Sequence, residues 1–194
     1  FRQYQEKQAW TWEHQALTRA RFVAGDAGVG AAFEALRQAI LCTPRPLAPL
    51  AEAVVAMRRK MHAGHPNPTA LFDVKHDDGG MVDIEFIVQF IVLAHAHAHP
   101  ALTRNAGNIA LLQVGGELRL IPAQLASRVA DAYRDCRRLQ HAGRLSGAAH
   151  ARADAARWNA RRAPAPDWWS TVSGPPRSDA FPGASSVPSP TRPI

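Results

Sequence analysis

With 194 residues and 46% hydrophobic content, the chain can bury one ordinary core, which excludes two independent domains each with its own. Its formal charge of +7 draws it toward something anionic, while two cysteines without CxxC spacing exclude a disulfide framework and a thiolate zinc site. No run of about eighteen uncharged apolar residues occurs, and FRQYQEKQAW lacks the order of a signal peptide, so neither a membrane span nor secretion is expected and a reducing cytoplasm is.

The first residue is Phe1, as expected of an excerpt from a longer protein. Residues 3–23 are free of Pro and Gly and read as one helix. Trp10, His14, Leu17 and Arg21 share one face and Trp12, Gln15 and Arg19 another, so burial is expected on both. AGDAGVG interrupts the pattern as an interhelical turn, having neither the preceding strand nor the GKS or GKT ending of a nucleotide loop. AAFEALRQAIL resumes it with Phe33, Leu36 and Ile40 on a stripe, and TPRPLAPL stops it.

The third helix is expected over 51–64. Val54, Met57 and Met61 repeat at helical spacing there, and Arg58, Arg59 and Lys60 lie on or beside the opposite, solvated face. After HPNPTA, the alternation in LFDVKH, the turn signal DDGG and the segment MVDIEF read as a strand pair. The run from Ile84 to Ala98 is apolar almost all round, which calls for a central helix. Further helices are expected at 105–114 and 122–145. From about residue 163 the chain is rich in Pro, Ser, Gly and Arg and is expected to be disordered.

Two motifs invite chemistry. In HAHAH, His95, His97 and His99 stand two apart on a helix and point in diverging directions, so a solvated helix end outweighs a metal site. In FDVKHDDGGMVDIEF, Asp83 and Glu85 would share one face of a strand, where a hard cation could stabilise them. By residue type alone a helix cap by Asp83 fits as well.

WTWEHQALTRARFVAGD, then FDVKHDDGGMVDIEFIVQFIVLAHA and HPALTRNAGNIALL, resemble the bacterial glutamine synthetase adenylyltransferases, also called adenylyl-removing enzymes. The likeness runs through about residue 145 and includes AYRDCRRLQH. It implies a mainly α chain: a helical bundle on the last strands of a polymerase-β-like nucleotidyltransferase sheet, α+β in the parent enzyme. The expected division is 1–90 for the end of that domain, 91–150 for the bundle and 151–194 for a low-complexity tail.

The Asp form of GGxxDIEF is similar to the C-terminal, adenylylating copy of the family's two nucleotidyltransferase domains. The resemblance implies AMP transfer from ATP to a tyrosine of glutamine synthetase, with Mg2+, under control by glutamine and a PII-type signal protein, and without nucleic acid or membrane. Asp83 is implied as the third metal ligand and a catalytic group, Glu85 as its support, and Arg19, Arg21 and Lys75 as nucleotide contacts. No Gly-Ser followed by a DxD pair occurs, so the chain is not expected to catalyse alone. The alternative is a non-catalytic basic helical module that binds an acidic protein or nucleic acid.

Overall fold

The computed structural model describes residues 1–104, 107–148 and 150–158. The tail expected to be disordered after about residue 163 lies outside these. The described residues are mainly helical. The helices are α1 (Arg2–Lys7), α2 (Thr11–Leu17), α3 (Ala27–Leu41), α4 (Leu47–Ala63), α5 (Met81–His95), α6 (Asn108–Glu117), α7 (Ala123–Leu145) and α8 (Ala155–Trp158). A 3-10 turn, Pro100–Thr103, follows α5, and two-residue strands β1 (Phe72–Asp73) and β2 (Arg152–Ala153) pair antiparallel, Phe72 opposite Ala153.

Helix α5 is the axis of the molecule and packs against α2, α4, α6, α7 and the 3-10 turn. Ile84, Ile87, Ile91 and Leu93 on it are almost wholly removed from water, each such side chain contributing about 1.5–3 kcal/mol. The core cluster runs without a break from Leu17 to Trp158, and the domain boundary expected at residue 90 falls inside α5. β2 and α8 lie in the stretch expected to be tail, yet Trp158 is buried with its ring 5.9 Å from that of Phe72.

Three expectations need correction. MVDIEF is no strand: it opens α5, because the apolar run it begins is buried on nearly every side and its first free N–H groups find partners. The amides of Met81 and Val82 donate to the carbonyls of Val74 and Lys75, at 2.9 and 3.1 Å, which caps the helix from an adjoining turn.

The single helix over 3–23 is two. Glu13 accepts the Trp10 N–H at 2.8 Å and the Tyr4 hydroxyl at 2.7 Å, which starts a second helix after a break. Trp10 (70% exposed) and Trp12 (48%) are consequently on the surface instead of buried. Helix α3 likewise begins inside AGDAGVG, with the Asp26 carboxylate accepting the Val29 N–H at 2.9 Å as its N-cap.

Three histidines give the fold a pH dependence. Burial is the leading cause that lowers His14, His76 and His95 below the ordinary value of 6.5. The unfolded chain then binds protons that the folded chain refuses, so their contribution is complete above about pH 6.5 and lost as pH falls further. The melting temperature is therefore expected to drop between about pH 7.5 and pH 5.5. A melting temperature flat across that window would show that these rings are solvated.

Candidate functional site

The turn at 73–80 and the start of α5 bring the sequence motif into one place. The Asp73 carboxylate accepts the amides of Lys75 and His76, and Asp77 accepts the amide of Asp73, so the acidic residues ahead of the glycines largely fold their own turn. Gly79 has φ +80°, a conformation L side chains rarely adopt, and its N–H donates to Asp83 Oδ2 at 2.6 Å. The other Asp83 oxygen accepts from Arg58 Nε at 2.5 Å, with both side chains 6% exposed. Arg58 Nη2 continues to the His76 carbonyl at 2.8 Å, tying α4 to the turn.

Asp83 is thus a buried anion answered by a guanidinium and by the backbone of the turn it follows. A magnesium ion needs carboxylate oxygens directed at an octahedral, partly hydrated position. Both Asp83 oxygens are engaged elsewhere, and among the described residues no three His, Cys, Asp or Glu side chains are grouped to hold a metal.

Glu85, two residues on, points to a different neighbourhood. Its Oε2 accepts from Arg19 Nη1 at 2.9 Å and its Oε1 from the Tyr133 hydroxyl at 3.1 Å, while Asn108 donates to that hydroxyl at 2.9 Å. One carboxylate therefore links α5 and α7 with the turn after α2, and α6 is joined through Asn108. Burial and the negative charge of Glu85 push the Tyr133 phenol up. Deeper in the same interface Gln15 Nε2 donates to Gln89 Oε1 at 2.8 Å.

The three expected nucleotide contacts are not brought together. Arg19 is paired with Glu85, Arg21 lines a cleft beside α3 and the 3-10 turn, and Lys75 lines a small cavity with Arg144 and His150. The basic run does not by itself single out Arg58, which was expected on or beside a solvated face and is instead buried. Its place four residues after Val54, on the stripe with Met57 and Met61, is the signal that would have found it. Arg37, four after Phe33 and four before Leu41, carries the same signal and is 3% exposed.

The chain matches known proteins along this whole stretch. The family model described as GlnD PII-uridylyltransferase matches residues 51–153, more than half the chain, and that described as glutamate-ammonia ligase adenylyltransferase matches residues 1–36. Three curated relatives carry the name bifunctional glutamine synthetase adenylyltransferase/adenylyl-removing enzyme. The one from Aromatoleum aromaticum is 59% identical over 147 residues, 76% of this chain and 16% of its own length. Those from Bordetella bronchiseptica and Burkholderia mallei are 54% and 52% identical over 172 and 180 residues, covering 89% and 90% of this chain and 18% and 20% of theirs. The chain belongs to this adenylyltransferase family. It spans between 16% and 20% of the length of these relatives. The turn, α4, α5 and the Arg58–Asp83 pair all fall within the 51–153 match, and the Arg19 end of the Glu85 link falls within the 1–36 match. No helix among the described residues is long and apolar enough to cross a membrane.

Proposed function

We propose that the chain is the C-terminal part of a cytoplasmic enzyme that transfers AMP from ATP to a tyrosine of glutamine synthetase. Through a second nucleotidyltransferase domain the same enzyme removes it, under control by a PII-type signal protein. In this reading the helices pack on the last strands of a nucleotidyltransferase sheet contributed by the parent enzyme. They hold that domain's shape. ATP and Mg2+ are assigned to the parent enzyme and not to Asp83, Glu85 or Lys75.

One observation carries the scaffold role: the GGMVDIEF carboxylate is spent on Arg58 and on the Gly79 amide, both within the helical body. A buried pair of this kind fixes the position of α4 against α5 and turns the carboxylate toward the protein interior. The family membership supports the transferase reading, since the relatives this chain matches bear the name of that activity.

The test uses labelled ATP and glutamine synthetase with the full-length gene product, unchanged or carrying Asp83→Asn, at a temperature well below both melting points. The variant is expected to melt early and to keep turnover per folded molecule within a few-fold. The 194-residue chain alone is expected to transfer no label. A loss of about a hundredfold in turnover at an unchanged melting temperature, near 2.7 kcal/mol on the barrier, would put Asp83 in the chemistry and overturn the scaffold role.

A further inference from the structure

The loop after α2 and the first turns of α3 expose apolar side chains side by side. Phe22, Val23, Val29 and Phe33 line a groove of about 500 Å³, with Val23 79% and Val29 68% exposed. The Phe22 ring packs directly on the helix, since a Cβ at Gly30 would lie 2.7 Å from it. The exposed Phe1 ring, 5.9 Å from that of Phe33, extends the apolar face. Asp26 lines the groove as well, but its carboxylate is engaged as the cap of α3. Scattered exposed apolar residues are ordinary, whereas a connected face of them marks a surface that another piece of protein covers.

The groove shares Arg21 and Phe22 with a cleft of about 850 Å³ between that loop, α3 and the 3-10 turn. Arg21 and Arg104 line the cleft, both exposed and neither side chain with a partner among the described residues. Arg37 in its wall is held by Glu34, at 2.9 Å, and by the carbonyls of Leu17 and Thr103. Glu34, the carboxylate of this lining, also accepts the Phe22 N–H at 2.9 Å, and these bonds hold its carboxyl below the usual range. Two unanswered guanidiniums therefore stand beside an uncovered apolar groove, and the covering surface must be acidic where it meets the cleft and apolar where it meets Phe22.

We propose that an acidic segment of the same polypeptide, outside this chain, docks here, its carboxylates on Arg21 and Arg104 and an apolar side chain in the groove beside Phe22. The inference rests on the reading of the chain as part of a longer enzyme; the chain spans 16% to 20% of the length of relatives it matches. A segment carried on the same polypeptide needs little affinity of its own. Tethering supplies an effective concentration of about 1 mM, so even a contact with a dissociation constant of about 0.1 mM covers the groove roughly nine-tenths of the time. Arginine forks pair with carboxylates in two parallel bonds, which sets the register of the segment as well as its sign.

Thiol labelling tests this with Val29→Cys and Val23→Cys, each placed in the full-length gene product and in the 194-residue chain, the labelled positions being read by peptide mapping. Both cysteines are expected to react about tenfold more slowly in the full-length product, the protection that such coverage gives. Arg21→Glu and Arg104→Glu are each expected to return the full-length rate to that of the 194-residue chain, while Arg128→Glu, at an exposed position on α7, leaves the protection in place. Equal rates in the two proteins overturn the inference. Protection that survives both Arg21→Glu and Arg104→Glu overturns the acidic occupant, and protection of the 194-residue chain that grows with its own concentration assigns the groove to a second copy instead. AMP transfer to glutamine synthetase, measured on the same full-length preparation, separates the two readings: transfer with unprotected cysteines overturns the docking alone, and protection without transfer supports the docking and overturns the transferase reading.

Discussion

Replacing Arg58 by alanine is expected to destabilise the chain by about 3–5 kcal/mol, the scale on which a buried ion pair loses one partner. Asp83 is 4% exposed, and without the guanidinium it would keep only the Gly79 amide against its full negative charge. Arg58→Met should cost nearly as much, because the aliphatic stem is preserved and the charge is what goes missing. Asp83→Asn is also costly, for a geometric reason. Arg58 Nε and the Gly79 N–H are both donors on opposite oxygens of the carboxylate, and an amide can offer only one oxygen, so one donor is left facing the Asn NH2 group. Urea unfolding of Arg58→Met, Asp83→Asn and the double variant checks the account. The double variant should lose clearly less than the sum of the singles, since each removes the same contact. Additive losses would mean that the two side chains do not depend on each other.

The sequence made this region legible as a place and misread it as a structure. The DDGG signal correctly announced a turn, and the apolar run from Ile84 correctly announced a central helix. The six residues MVDIEF alternate loosely, and a short alternation placed directly before a long apolar run cannot distinguish a strand from a helix whose every face is buried. What decides it lies outside those six residues: the carbonyls of Val74 and Lys75 cap Met81 and Val82, and Arg58 arrives from another helix. No local pattern encodes either.

Helical geometry also divides the basic residues. Arg58, Arg59 and Lys60 are adjacent in sequence and were assigned to one face, yet Arg58 is buried whereas Arg59 and Lys60 are exposed. The helical period separates them by about 100° each, so a basic run on an amphipathic helix must place some of its members toward the core. Those that turn inward need an anion, and the nearby Asp83 supplied one. Arg37 followed the same rule and found Glu34 and two carbonyls. The tryptophans failed in the opposite sense: Trp10 and Trp12 were expected to be buried on two faces of one continuous helix, but the chain breaks between α1 and α2 and both are on the surface.

Gly80→Ala is expected to cost about 3 kcal/mol, at the upper end for overpacking a tight site. A Cβ at this position would lie 2.8 Å from the Asp77 carbonyl oxygen and 2.9 Å from that of Val74, distances that real Cβ atoms essentially never show. Neither obstacle is the end of a flexible side chain. The Asp77 oxygen accepts the Gly80 N–H and the Val74 oxygen accepts the Met81 N–H, so moving them aside breaks the bonds that start α5. Asp83 and Glu85 sit on the first two turns of that helix, and a shifted start would misalign Asp83 against Arg58 and Glu85 against Arg19. Gly79→Ala should cost about 1–2 kcal/mol, for its positive φ and not for crowding. Gly64→Ala supplies the control, because the nearest atoms to its Cβ lie at an ordinary 3.6 Å and its φ of −77° suits any residue. Thermal unfolding of the three variants should rank them Gly80, Gly79, Gly64 in order of decreasing loss. If Gly80→Ala melts as high as Gly64→Ala, the turn does not clamp the start of α5, and the fixed placement of Asp83 must come from Arg58 alone.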